Sequence, residues 1–452
     1  MSLMVGASTK VVFRSANGRT FAERRTTIAT VIDVPFLTTV VMLFLVGVTR
    51  AGDWPGWRGP TGMGITDARD LPLTWGGEGR ANIQWSVPLP GTDGKAKFDH
   101  NQSSPIVWND HLFLIMVYWP EGVAQSEFPE HHVACYRASD GQPVWDIKVP
   151  PGPWLLKDLR GGYSAPTPCT DGERIYALFG SSELVALDMQ GDLVWRKEIT
   201  PYAWDVAIGT SPILYRDTVL VLVDGSNSKQ SRLVAFDRKT GDIVWEQPRP
   251  TASFSHSTPV LVEVQNKPQL LASASNAVQG LNPADGKVIW WASNSGDVPT
   301  PVFGSGLVYS EGGRGGPGIA VDPTGEGDVT KTLIKWKTSP VPEGYSSPVI
   351  VGDHIYRTNS PGILQCRNLS DGEPVYKARL PTGLDQAASP FVTPEGRIYF
   401  VSGGKSVVVA AGPEFEVLAT NDLGDSSQAS AAVANGRIYI KGGRKLYCIG
   451  KK

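Results

Sequence analysis

A chain of 452 residues with 50 Gly, 35 Pro, 14 Trp and 13 Tyr is too rich in turn formers and large flat side chains to read as helical, and an all-β fold follows. The formal net charge of −2 is unevenly spread: residues 1–51 carry six basic and two acidic side chains, the remainder 36 and 42. A mildly acidic body gives no electrostatic basis for binding nucleic acid, so that class of partner is excluded.

Pro35–Val48 is an uncharged apolar run of 14 residues, preceded by Arg24 and Arg25 and followed by Thr49, Arg50 and Ala51. A spanning helix needs about 20 apolar residues, and a signal-peptide core fewer. Ile28–Ile32 extends the stretch with only Asp33 interrupting, so residues 1–51 read as a signal peptide or an N-terminal membrane anchor. Either places the body in the periplasm, outside the cell, or tethered on the periplasmic side of a membrane. Residues 52–81 open with Trp54-Pro55-Gly56-Trp57-Arg58-Gly59-Pro60, expected to form a strap along the side of the main domain with its Trp rings buried.

Residues 82–452 are repetitive. A small residue followed by Pro precedes an apolar strand at Ser104, Ala165, Ser211, Thr258, Thr300, Ser347 and Ser389, with a degenerate copy at Ser430-Ala431. The spacings of 61, 46, 47, 42, 47, 42 and 41 residues suit one four-stranded propeller blade each. Eight copies predict an eight-bladed β-propeller. Within a copy, four short apolar runs are separated by turn residues, as in Pro212–Tyr215, Thr218–Val223, Leu233–Asp237 and Ile243–Glu246.

The fourth run carries Trp145, Trp195, Trp245, Trp290, Trp336 or Tyr376, with Leu418 once, which makes seven outer strands for eight inner ones. The missing strand is found upstream, at Asn82–Leu89 with Trp85, and predicts closure of the ring by pairing with the last blade. Each Trp is expected to dock one blade on the next.

Ala235-Phe236-Asp237-Arg238-Lys239-Thr240-Gly241-Asp242-Ile243-Val244-Trp245 resembles the tryptophan-docking motif of propellers with pyrroloquinoline-quinone (PQQ) repeats, A-x-D-x-x-T-G-x-x-x-W. Weaker copies stand at Ala186–Trp195 and Gly280–Trp290, and the opening Trp/Pro/Gly segment is similar to the start of exported bacterial PQQ-like proteins. The resemblance implies the fold. It does not carry the enzymes' chemistry with it, because PQQ dehydrogenases use an adjacent Cys-Cys pair and a Glu/Asn/Asp set for Ca²⁺, and neither has a counterpart here. No cofactor is therefore expected, PQQ with Ca²⁺ being the alternative.

Alignment of the third strands puts Cys135, Cys366 and Cys448 where other blades have Ala186, Ala235, Gly280 and Ala320, so these thiols are expected to be buried and reduced. The six histidines lack metal-binding spacing, and His131 and His132 read as solvated loop residues.

Recognition is expected at the mouth of the propeller, where the residue two before each repeat serine or threonine gives Gln102, Tyr163, Gly209, His256, Val298, Tyr345, Ala387 and Gln428. Gln102, Tyr163, His256, Tyr345 and Gln428 are the ligand-binding candidates, and no catalytic or metal residue is assigned. Gly91–Asn101, Trp119–His132 and Pro150–Gly162 are long insertions on the same rim, with no scaffold role legible in the sequence. Three functions compete: a scaffold for another exported or envelope protein, similar to the periplasmic propeller that assists outer-membrane barrel assembly; a glycan or small-ligand binder; and a PQQ-dependent oxidoreductase.

Overall fold

Eight small antiparallel sheets surround one axis in the computed structural model, which describes residues 52–92, 95–199, 208–226, 229–294, 296–382, 384, 388–402 and 404–451. The apolar run Pro35–Val48 lies outside the described residues, as does Ala387. Blade 3 shows the plan: Ile213–Tyr215, Thr218–Val223, Arg232–Asp237 and Ile243–Pro248 pair in chain order from axis to rim. Blade 8 takes Ala432–Ala434, Arg437–Lys441 and Lys445–Ile449 from the end of the chain and Ile83–Pro88 from its beginning. Trp85 stands opposite Cys448 and Pro88 opposite Lys445, the predicted closure. Two sheets gain a further strand: Lys97–Phe98 on the inner side of the second strand of blade 1, and Gly327–Asp328 parallel to the outer strand of blade 4.

The repeated hydroxyl residue has a physical purpose. An innermost strand leaves backbone N–H groups facing the axis without a ladder partner. Ser104 N donates to Thr167 Oγ1 at 2.9 Å, Thr167 N to Ser211 Oγ at 2.9 Å and Ser211 N to Thr258 Oγ1 at 3.0 Å. The chain of bonds continues through Thr300, Ser347, Ser389 and Ser430 and returns to Ser104 Oγ at 3.1 Å. All eight blades are thereby stitched into one ring, each bond contributing about 1 kcal/mol. The ring also corrects the register of blade 2: its member is Thr167, followed by Pro168, and not Ala165. Two consecutive X-Pro pairs, Ala165-Pro166 and Thr167-Pro168, made the sequence ambiguous there, and only the hydroxyl-bearing residue can accept the bond.

Outer-strand aromatics lie between neighbouring blades. Trp85, Trp145, Trp195 and Trp336 each donate Nε1 to a turn carbonyl of the next blade, namely Ala138, Met189, Arg238 and Leu369. Each ring lies on a positive-φ glycine of that turn; a Cβ at Gly191 would sit 2.9 Å from Trp145, and one at Gly241 2.7 Å from Trp195. Trp245 covers Gly286 in the same way. Trp290 departs from the pattern, since its Nε1 donates to Gln269 of its own blade at 2.8 Å, and Gln269 Nε2 passes the contact on to Pro323 of blade 5. Across each sheet the docking aromatic faces a small third-strand residue: Trp145 opposite Cys135, Tyr376 opposite Cys366 and Trp85 opposite Cys448. All four cysteines are buried and free.

The strap does not run along the side. It crosses the axial end at which first and second strands turn. Trp54 makes a backbone bridge with Val107 of blade 1, Pro55 O accepts from Thr170 of blade 2, and Met63 Sδ accepts from Phe303 of blade 5. Thr66 N and Gly64 O bond to Val392 of blade 7, after which Trp75 stacks on Tyr399 on the way to the rim. The reason is the alternation of Pro and Gly, which lets an irregular backbone spend its polar groups on the exposed ends of inner strands. Trp54 is 1% exposed and belongs to the core of blades 7, 8 and 1.

Candidate functional site at the axial mouth

Opposite the strap, the segments entering each inner strand converge. Gln102 and Gln428 do meet, Nε2 donating to Oε1 at 2.7 Å across the seam of blades 1 and 8. His256 of blade 4 lies over Gly209 of blade 3, whose missing side chain makes the room. Phe254 meets the imidazole edge-on at 4.7 Å. Burial, with Arg314 nearby, pushes the His256 pKa down to about 4, so it is neutral at physiological pH.

Tyr345 is the most open of the candidates at 37% exposure, and its hydroxyl donates to Glu343. That carboxylate is the main reason the phenol is held above its ordinary range. Arg314 stands over the Phe254 ring at 5.4 Å and 3.5 Å from Asp297, whose carboxyl is raised by burial and lowered by Arg314. Thus blades 4 to 6 gather His256, Phe254, Asp297, Arg314, Glu343 and Tyr345 at one side of the mouth. Gly209 and Val298 supply no polar group there.

Tyr163 is not at the mouth. With blade 2 in its correct register Ala165 takes that position, while Tyr163 is fully buried and its hydroxyl accepts from Leu156 N at 2.8 Å. The insertions also have a scaffold role. Trp119 and His132 are strand residues, in His111–Trp119 and Glu130–Arg137, and buried Trp119 donates Nε1 to Glu127 O. The 150–162 segment is held to blade 2 by Gly152 N on Ser181 Oγ and by Leu156 in the core. His131 and His132 are likewise strand residues and buried: His131 bonds Pro129 O and Ser181, and burial lowers its pKa to about 4; His132 bonds Asp146 at 2.8 Å and is raised above its usual value despite desolvation. Strand pairing simply continues past the turn that the sequence suggested.

Several buried ionic groups near this end escaped the sequence reading. Arg249 pairs with Asp224 and Gln279, Arg357 with Glu311, and Tyr309 donates to Glu311. Between blades 8 and 1, Lys441 reaches Ile115 O at 3.4 Å, and burial lowers its pKa to about 7 against a pull from Asp99. Spacing could not reveal the Arg249, Arg357 and Lys441 contacts, because their partners lie on different strands or blades.

A family profile described as "Outer membrane protein assembly factor BamB" matches residues 129–378, more than half of the chain. The protein belongs to that family. BamB from Moraxella catarrhalis has a similar structure, with a TM-score of 0.55 at 14% identity over 81% of this chain and 99% of its own. A europium-containing methanol dehydrogenase gives 0.54 at 11% identity, covering 88% of this chain and 98% of that one. Quinohemoprotein alcohol dehydrogenase from Comamonas testosteroni gives 0.51 at 13% identity, covering 90% and 82%. At such identities the likeness of this BamB-family member to solved structures shows the PQQ-like propeller fold alone. No curated protein matches the sequence.

Proposed function

We propose that this protein is an exported, non-catalytic PQQ-like propeller that recognises another envelope protein, or a small ligand, at the axial mouth. The observation that carries this reading is the difference between the ends: the strap occupies one, while the other presents half-exposed Arg314 and Tyr345 beside neutral His256. Arg and Tyr are the residue types over-represented where binding energy concentrates. The family description, an outer-membrane assembly factor, supports a protein partner in the envelope, and the apolar run Pro35–Val48 supports export.

A photo-crosslinking residue in place of Tyr345 tests it in cells, with the same residue at Val244 on the outer strand of blade 3 as control. The reading expects a discrete adduct from position 345 and none from 244; adducts of equal yield from both, or from 244 alone, refute it.

The quinone-dehydrogenase reading has less support. Holding PQQ beside Ca²⁺ needs clustered carboxylate ligands, and among the described residues no three His, Cys, Asp or Glu side chains are grouped to hold a metal. Titration with PQQ and Ca²⁺ followed by dye-linked alcohol oxidation checks the point, and turnover would reverse the ranking.

A further inference from the structure

The strap carries an unpaired charge to the propeller axis. Arg58 is 2% exposed. Its Nη2 donates to Pro348 O at 2.7 Å, while Nε and Nη1 have no hydrogen-bond partner. Pro348 follows ring residue Ser347, so the guanidinium sits next to the hydroxyl ring. Gly64 leaves room for it: a Cβ there would be 3.0 Å from Nη2 and 2.5 Å from Pro390 O, the residue after ring member Ser389. Trp57 supplies a ring face at 5.7 Å.

The protein contains its own controls. The two other deeply buried arginines among the described residues, Arg249 and Arg357, each have a buried carboxylate, Asp224 and Glu311. Arg58 has none among the described residues, and no acid acts against the burial that lowers its pKa to about 9. The backbone adds a second cost, since Arg58 has φ +57°, a conformation that favours glycine. An uncompensated buried cation is strongly unfavourable unless something negative meets it. What Arg58 lacks is an acceptor for Nε and Nη1.

We propose that Arg58 binds one small monovalent anion at the floor of the propeller axis, either a halide ion or the carboxylate of a small organic acid. The site is separate from the mouth and does not depend on what the mouth recognises. It gives the strap a ligand-dependent lock, because an anion that binds only the folded state stabilises it by mass action.

The test compares thermal unfolding of the full chain in sodium bromide, sodium formate and sodium gluconate at equal ionic strength, gluconate serving as the bulky reference anion. In bromide or formate the wild-type midpoint should rise by about 1–2 °C per tenfold anion above saturation, relative to gluconate. Arg58→Met should lose that difference. Bromide alone identifies a halide site, formate alone a carboxylate site, and both a site for either. In crystals grown with bromide, one anomalous peak should lie within about 3.5 Å of the guanidinium. If Arg58→Met does not fold, Arg58→Lys and the wild-type crystal carry the test. Identical midpoints in all three salts, with only water beside Arg58, would overturn the proposal.

Discussion

The two axial ends of the propeller are built from the same repeat and differ in what the chain lays over them. At the floor, a Pro/Gly-rich strap spends its backbone donors and acceptors on the ends of inner strands and buries Trp54 and Arg58. At the mouth, equivalent positions carry side chains that hydrogen-bond locally and leave Tyr345 and Arg314 half exposed. A repeat with eight equivalent ends offers no direction by itself; direction comes from covering one end. The comparison implies that substitutions at the floor act on stability and substitutions at the mouth act on recognition.

The largest expected effect is at the floor. Trp54→Ala should cost about 3–5 kcal/mol in denaturant unfolding, since it empties a site in a close-packed core. A loss below about 1 kcal/mol would mean that the strap is an appendage. Acid sharpens the contrast next. His131 is buried with its folded pKa lowered to about 4 against about 6.5 in the unfolded chain. The unfolded state then binds more protons between those values, so stability is complete above about pH 6.5 and falls as pH drops towards 4. This one group supplies up to about 3 kcal/mol of the loss. Denaturation at pH 7 and pH 4.5 checks it, and His131→Gln should flatten the difference.

A smaller effect is expected at the hydroxyl ring, where Ser211→Ala deletes one acceptor and strands the Thr167 amide, for about 1–2 kcal/mol. Ala165→Ser should not matter, because Ala165 is not a ring member. The smallest belongs to the mouth: Tyr345→Ala should change stability by less than about 0.5 kcal/mol while reducing co-purification of the partner that crosslinks at position 345.

Most of the architecture was legible in the sequence because one blade repeats eight times, and because a Trp over a Gly turn and a hydroxyl before Pro are local patterns. Closure was legible by counting strands. Blade 2 slipped because Ala165-Pro166 and Thr167-Pro168 compete locally, and only the hydrogen bond to Ser104 across a blade boundary decides between them. That slip sent Tyr163 to the mouth when it belongs to the core. The strap's path, the relay from Trp290 through Gln269 and the buried Arg249–Asp224 pair are all contacts between distant parts of the chain, which no spacing rule encodes. At the mouth, Gln102, His256, Tyr345 and Gln428 were reachable from the repeat phase, whereas Asp297, Arg314 and Glu343 sit in loops outside it.

Amide hydrogen exchange tests most directly whether one end is sealed and the other open. Peptides covering residues 54–66 contain the amides of Trp54, Gly59, Gly62, Gly64 and Thr66, all hydrogen-bonded, and should exchange as slowly as those of the inner strands. The amides of Glu343 and Tyr345, on either side of Gly344, whose N–H is bonded to Gly313 O, should exchange much faster. Fast exchange of residues 54–66 while the blades remain protected would contradict the account.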